Sequence, residues 1–136
     1  LQTKRWQHVA MTYNADTREV KVYVNGLLQS AGTLRMGTVT IKGDSPDRMF
    51  LIGKSYDDAR WFEGNMSEVR VWNVVRTQEE IAGHIYGVDP KTPGLVGYWK
   101  MDNSNSPNIV KDATGNGNDA KANKPLSWHN VSLPEK

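Results

Sequence analysis

The first part of the chain alternates apolar and polar residues with the period of a β-strand. This alternation runs through Trp6–Tyr13 and again through Glu19–Gly26, with a polar turn between the two segments. Within the second segment Val20, Val22 and Val24 fall on one side of the pleat, which is predicted to be the buried side. The two segments are therefore predicted to pair as antiparallel neighbours.

The dipeptide Asn25-Gly26 marks the end of the second strand. Asn and Gly both tolerate positive φ, the conformation that a tight type I′ turn needs at its two central positions. The chain is predicted to reverse here and to form a third strand from Leu27–Ser30. Tyr23 lies on the opposite side of the strand from the valines, and this side is predicted to be the more exposed to solvent.

Further short strands are predicted because apolar runs recur between turn-forming residues along the rest of the chain. They are Thr38–Ile41, Phe50–Gly53, Met66–Trp72, Leu95–Met101, Ile109–Asp112 and Leu126–Leu133. Many short strands without alternating helices are typical of an all-β protein, and we predict an antiparallel β-sandwich of the jelly-roll type.

One short helix is predicted within this all-β pattern. Thr77 followed by Glu80 forms a capping box, and Ile81 and Ile85 lie about one helical turn apart. The helix is predicted to cover residues 78–86, and it is the only helix that the sequence predicts.

The composition is that of one globular domain, which is predicted to span residues 1–136 with a polar linker at 89–94. The 17 basic and 15 acidic residues are mixed along the chain, so the net charge of +2 gives no support for nucleic-acid binding. No apolar run reaches membrane-spanning length. The absence of cysteine excludes disulfides and thiolate metal sites.

A series of short motifs follows one order along the chain. They are Trp6-x-His8-Val9-Ala10, Val22-Tyr23-Val24-Asn25-Gly26, Leu51-Ile52-Gly53, Phe62-x-Gly64-x-Met66-x-Glu68-Val69-Arg70-Val71-Trp72-Asn73 and Arg76-Thr77-x-x-Glu80-Ile81. As a set they resemble the second half of a laminin-G-like domain of the concanavalin A-like lectin/glucanase fold. Gly94–Met101 with Asp112–Asp119 is similar to a block met in secreted and surface proteins of gut Bacteroides-type bacteria. The resemblance implies a concanavalin A-like β-sandwich in an extracytoplasmic protein, whether secreted, periplasmic or at the cell surface.

The resemblance also implies that the domain is incomplete. In such domains the motif that contains Trp6 lies near the middle, so the strands that precede it are missing here. A sandwich without those strands would leave an open sheet edge, which natural proteins avoid. We therefore predict a C-terminal portion of a domain, whose sheets are completed by upstream chain or by a partner.

The sequence offers no constellation for catalysis. Glucanases related to this fold use a Glu-x-Asp-x-x-Glu strand, whose carboxylates flank the glycosidic bond, and this triplet is absent. No nucleophile elbow, phosphate loop or metal-ligand spacing of histidines is present. We therefore predict a non-catalytic binding module. The alternatives are a structural or adhesion spacer with a protein partner, and the remnant of a glycoside hydrolase whose catalytic strand lies upstream.

A polar loop that contains aromatic residues is the candidate ligand site. Tyr56 and Trp61 lie in this loop with Asp57, Asp58 and Arg60. An aromatic ring can stack on the apolar face of a pyranose while polar groups bind its hydroxyls, so a glycan is predicted as ligand and a protein is the alternative. Large rings also often pack onto the core, and for Trp61 both interpretations stay open.

The segment Asp112–Asp119 is the candidate metal site. Oxygen atoms of Asp112, Asn116, Asn118 and Asp119 can surround Ca²⁺, a hard cation. The resemblance to laminin-G-like domains, which often hold Ca²⁺, implies calcium as a cofactor. The same residues also form Asx turns, which are the more common outcome, and the segment lacks the full ligand set of an EF-hand loop.

Overall fold

The computed structural model describes residues 2, 4–34, 50–53, 61–102 and 106–131. Its elements are β1 (Val9–Tyr13), β2 (Glu19–Val24), β3 (Leu27–Thr33), β4 (Val69–Trp72), α1 (Gln78–Gly83), β5 (Leu95–Trp99), β6 (Ile109–Val110) and β7 (Ala120–Lys121). The strands form antiparallel sheets in the orders β1-β2-β3, β4-β5 and β6-β7. The predicted antiparallel all-β fold is confirmed. Among the described residues no helix is long and apolar enough to cross a membrane.

The predicted meander of the first three strands is confirmed. β2 pairs with β1 on one side and with β3 on the other, and Met11 of β1 faces Val22 of β2. Asn25 and Gly26 have φ of 50° and 76°, the positive values that a type I′ turn needs. β3 continues to Thr33, beyond its predicted end.

The prediction of the buried side of β2 is wrong. Tyr23 is only 4% exposed, whereas Val20, Val22 and Val24 are half-buried. Residues 75–77, which lead into α1, and Gln78, its first residue, share a small cavity with Tyr23. The helix segment therefore covers the side of the sheet that the alternation alone assigned to water.

The helix begins at the predicted capping box and ends earlier than predicted. The Glu80 N–H donates to Thr77 Oγ1 (3.2 Å), and the Thr77 N–H donates to Glu80 Oε2 (2.9 Å). At the other end, His84 Nδ1 lies 2.7 Å from the Glu80 carbonyl oxygen, and the His84 N–H donates to the Ile81 carbonyl (3.3 Å). The helix stops because the imidazole contacts the carbonyl that the His84 N–H would bind in a continuing α-helix.

Two strands predicted in the middle of the chain differ from the structure. No strand forms at Phe50–Gly53. Gly53 turns the backbone with φ of 77°, and its carbonyl accepts a hydrogen bond from the Phe62 N–H (2.9 Å). β4 begins later than predicted because Glu68 has a φ of 59°, which breaks the extended run.

The C-terminal part also differs from the prediction. The strand predicted at Leu126–Leu133 is absent over residues 126–131, which the structure describes. The Leu126 N–H donates instead to the Pro107 carbonyl (2.8 Å). The predicted strand at Ile109–Asp112 is present as β6, and its partner β7 was not predicted from the sequence. The strand predicted at Thr38–Ile41 lies outside the described residues.

Half of the most buried apolar residues of the described ranges lie on β5. They are Leu95, Tyr98 and Trp99 of β5, with Tyr23 of β2, Ile81 of α1 and Val110 of β6, each at most 8% exposed. This core holds the segment between β6 and β7 against β5.

Candidate functional site

The segment between β6 and β7 folds around the carboxylate of Asp112, which is 7% exposed. Its Oδ1 accepts hydrogen bonds from the Tyr98 N–H (3.1 Å), the Thr114 N–H (3.0 Å) and the Thr114 hydroxyl (2.7 Å). Its Oδ2 accepts one from the Asn118 N–H (3.2 Å). Both oxygens thus bind donors of the chain itself, and the carboxylate ties the loop to β5.

These hydrogen bonds control the charge of the carboxylate. Burial alone would raise the pKa of Asp112, but the donors from Thr114, Tyr98 and Asn118 outweigh it and hold the pKa below its ordinary value. The pKa of Asp119 is also lowered, chiefly by its hydrogen bond with Lys111, whose Nζ lies 2.5 Å from Asp119 Oδ2. Both acids are therefore anionic at neutral pH.

The structure brings all four predicted calcium ligands together. The side-chain amides of Asn116 and Asn118 both donate to the Val96 carbonyl (3.0 and 2.9 Å), and Asp119 Oδ1 accepts from the Asp112 N–H (2.9 Å). No group of three or more His, Cys, Asp or Glu that could hold a metal occurs in the part of the chain that the structure describes. A calcium ion here would therefore need amide or backbone oxygens as well, and calcium binding stays a prediction.

Trp61 is the only residue of the predicted glycan site that the structure describes. Trp61 is 61% exposed as a residue, and both interpretations of its ring stay predictions. Tyr56, Asp57, Asp58 and Arg60 lie outside the described residues. This exposure is compatible with the stacking interpretation.

Two further exposed aromatic residues flank the same loop and were not recognised from the sequence as candidates. Phe50 is 63% exposed and Phe62 52% exposed. The hydrogen bond from Phe62 to Gly53 brings the two ends of the loop side by side, and the Phe50 ring stacks on Trp99 with 5.7 Å between centroids. Aromatic residues at both ends of a polar loop were the available signal, but Phe50 was assigned to a strand and Phe62 was considered only as part of a family motif. We call Phe50, Trp61 and Phe62 the aromatic patch.

A buried charged cluster between β4 and β5 was also missed. Arg70 Nη2 lies 2.5 Å from Glu68 Oε2, and the Tyr98 hydroxyl donates to the same oxygen. Arg70 Nη1 donates to the His84 carbonyl beyond α1. Burial and the hydrogen bond with Glu68 raise the pKa of Tyr98 to about 12, so its hydroxyl keeps its proton at neutral pH. The cluster joins β4, β5 and the end of the helix.

Sequence comparison matches this chain to one family model and to C-reactive proteins. A family model described as the concanavalin A-like lectin/glucanases superfamily matches residues 1–82. C-reactive protein 1.4 of Limulus polyphemus is 28% identical over 85 residues, which are 57% of this chain and 34% of the relative. C-reactive protein 1.1 of the same species is 27% identical over 101 residues, 61% of this chain and 40% of the relative. The chain therefore spans well under half the length of these curated relatives.

One solved structure is similar in both fold and sequence. It is the crystal structure of a candidate carbohydrate binding protein from Bacteroides ovatus, with a TM-score of 0.67 and 34% sequence identity. The match covers 93% of this chain and 39% of that chain.

Proposed function

The chain belongs to the concanavalin A-like lectin/glucanase superfamily, and we propose that it is a non-catalytic carbohydrate-binding module of a larger extracytoplasmic protein. The description of the similar Bacteroides ovatus structure as a candidate carbohydrate binding protein supports this proposal. Because the chain covers only 39% of that structure, the extracytoplasmic location and the activity of a larger protein are themselves parts of the proposal.

The exposure of Trp61 is the observation that carries the proposal. The residue is 61% exposed, and a tryptophan ring at the surface offers a flat apolar area on which the C–H groups of a pyranose can stack. We assign the hydrogen bonds to the sugar hydroxyls to the polar loop residues Tyr56, Asp57, Asp58 and Arg60. Phe50 and Phe62, which flank that loop in the sequence, supply further exposed apolar side chains.

Glycan-array screening followed by calorimetric titration tests this function. Trp61→Ala should weaken binding of the best glycan by about tenfold, the equivalent of one lost stacking contact, while Trp61→Phe should retain part of the affinity. Leu27→Ala is the matched control, because Leu27 is 62% exposed but lies on β3. If no glycan binds, with or without calcium, the proposed function is wrong.

We also propose calcium as a cofactor, bound by Asp112, Asn116, Asn118 and Asp119 of the segment between β6 and β7. The oxygen-rich side chains are those that Ca²⁺ prefers. Thermal unfolding with calcium and with a chelator tests this assignment, since an ion that binds only the folded state must raise the melting temperature. Equal melting temperatures under both conditions would reject it, and Asn118→Ala should abolish any shift that is seen.

An adhesion or spacer domain with a protein partner is the second candidate function, and the same aromatic patch favours it. An exposed apolar surface is typical of a protein interface as well as of a sugar site. Trp61→Ala would then weaken a protein complex and leave glycan binding absent. A third candidate, a glycosidase whose active-site strand lies upstream, is decided by reading the upstream polypeptide for a Glu-x-Asp-x-x-Glu pattern.

A further inference from the structure

A groove of about 990 Å³ lies between β1 and the segment that leads into β4. Residues 8–12 line one side and residues 62–70 line the other. Ile81 and Ile85, from α1 and the turn after it, add apolar surface. The groove is distinct from the proposed calcium site, because no residue of Asp112–Asp119 lines it.

The edge of β1 that faces this groove has backbone groups that no described residue pairs with. The Asn25 N–H donates to the His8 carbonyl (2.8 Å) and the Asn14 N–H donates to the Glu19 carbonyl (2.9 Å), so the even-numbered residues of β1 face β2. Hydrogen bonding in an antiparallel pair alternates, so the N–H and C=O groups of Val9 and Met11 point away from β2. Nothing in the described ranges pairs with them.

At Arg70 of β4, too, the main-chain N–H and C=O groups point away from the paired strand. Its partner in the β4–β5 register is Tyr98. The Tyr98 N–H donates to Asp112 Oδ1 and its carbonyl accepts from the Ala113 N–H (2.8 Å), so the main chain of Tyr98 faces away from β4. Arg70 and Tyr98 are therefore a non-hydrogen-bonded pair, and the main-chain groups of Arg70 face the opposite edge.

Two buried side-chain nitrogens of groove-lining residues lack a hydrogen-bond partner. They are Arg70 Nε and His8 Nδ1. The Arg70 side chain is only 8% exposed, so water does not readily replace the missing acceptor. Burial and the nearby Arg70 lower the pKa of His8, whose ring is therefore neutral at pH 7. Buried polar atoms normally have partners, so these two indicate an absent occupant.

We propose that the groove receives an extended strand from the polypeptide upstream of this chain. A strand carries N–H and C=O groups on both of its edges, so it can pair with Val9 and Met11 on one side and with Arg70 on the other, and it can offer a carbonyl to Arg70 Nε. Its side chains would cover Val9 and Met11, which are 51% and 70% exposed.

Two observations favour the upstream polypeptide over another occupant. Residues 2 and 4–7 line the same groove, so a segment joined to them reaches it without a long linker. The chain also spans only 34 to 40% of the similar C-reactive proteins and 39% of the similar crystallised protein, so such proteins contain additional polypeptide.

Amide hydrogen exchange on two forms of the protein tests the proposal. One form is the 136-residue chain, and the other is the same chain extended upstream through its natural sequence. The amides of Val9, Met11 and Arg70 should exchange at least about tenfold more slowly in the extended form. The Thr12 amide, which faces β2, should be similarly protected in both and serves as the internal control.

A proline substitution gives an independent readout. Met11→Pro removes a donor that faces the groove and none that faces β2, and proline is tolerated at such an edge. It should therefore destabilise the extended form more than the 136-residue chain, whereas Thr12→Pro should destabilise both equally because it breaks the β1–β2 ladder.

Equal exchange at Val9, Met11 and Arg70 in the two forms would overturn the proposal. Slow exchange in the 136-residue chain that increases with protein concentration would overturn it too, because a second copy would then be the occupant. Either result leaves the glycan titration unaffected, so the two proposals fail independently.

Discussion

Two hydrogen bonds join Asn25 to His8 just before the start of β1. The Asn25 N–H donates to the His8 carbonyl (2.8 Å), and the His8 N–H donates to Asn25 Oδ1 (3.0 Å). The asparagine side chain replaces its own carbonyl as acceptor at the point where its backbone takes a φ of 50°. Asn25 therefore forms the turn and also supplies the last hydrogen bonds between β1 and β2.

This arrangement predicts an ordered response to substitution of Asn25. Asn25→Ala should lower the free energy of unfolding by about 2 kcal/mol, because alanine resists positive φ and cannot accept the His8 hydrogen bond. Asn25→Gly tolerates that φ and should cost only about 1 kcal/mol for the lost bond. Urea unfolding measures both values. Equal costs would mean that backbone strain plays no part at this position.

The contact between the β2–β3 turn and α1 leaves no room for a side chain at Gly26. A Cβ there would lie 2.7 Å from Ala82 Cβ and 2.8 Å from Ala82 Cα, on a backbone with φ of 76°. Gly26→Ala should therefore destabilise the fold by about 3 kcal/mol, the sum of conformational strain and overpacking. Urea unfolding tests this value.

Gly32→Ala is the matched control for that substitution, since no atom lies within 4 Å of a Cβ at Gly32. It should leave stability almost unchanged or raise it slightly. Similar losses in the two variants would show that the helix does not pack on the turn as described.

The carboxylate of Asp112 should make stability depend on acid pH. Its pKa is lower in the folded state than its ordinary value of 3.8, so the unfolded chain binds this proton more readily. The stabilisation is complete above about pH 4 and is lost as the pH falls through the folded-state pKa. Asp112→Asn should lower the free energy of unfolding at pH 7 by about 2 kcal/mol and flatten this dependence. Urea unfolding between pH 2 and pH 7 measures both effects.

Asp16→Asn is the control for Asp112, because Asp16 lies on an exposed turn between β1 and β2. Its unfolding curve should keep the acid dependence of the unmodified protein. An unchanged acid dependence in Asp112→Asn would contradict the structural role of that carboxylate.

The hydroxyl of Tyr98 should produce the opposite dependence at alkaline pH. Its pKa is raised to about 12 by burial and by the hydrogen bond with Glu68, so the folded state holds the proton more tightly than the unfolded chain. This contribution is complete below the ordinary tyrosine value of about 10 and is lost as the pH rises toward 12.

Ultraviolet titration should therefore show a tyrosine that ionises near pH 12, and this late step should be missing in Tyr98→Phe. Tyr23→Phe is the comparison, since Tyr23 is also buried, at 4% exposure, but lies on β2. If the late step persists in Tyr98→Phe, the assignment of the raised pKa is wrong.

The elements that the sequence predicted well are those whose cause lies within a few residues. The capping box joins Thr77 to Glu80, three positions apart. The strand pairing around Asn25-Gly26 follows from the φ that these two residues tolerate. The strand at Phe50–Gly53 and the end of the helix were wrong because Gly53 and His84 bind partners that a periodic pattern does not reveal.

The candidate sites divide in the same way. Asp112, Asn116, Asn118 and Asp119 are close in the chain, and the sequence was sufficient to group them. The Glu68–Arg70–Tyr98 cluster was not foreseen, because Tyr98 joins Glu68 across 30 positions of sequence. The aromatic patch depends in the same way on the contact that brings Phe62 to Gly53.

The sequence by itself determined the strand-rich character, the meander around Asn25-Gly26 and the start of the helix, because dihedral preferences and capping are local. Tertiary structure decided which side of β2 is buried, where the Asp112 carboxylate finds its donors, and where the groove beside β1 lies. These depend on which distant segment packs against each surface. Alternation shows that a strand has two different sides, but only the packed neighbour determines which one is removed from water.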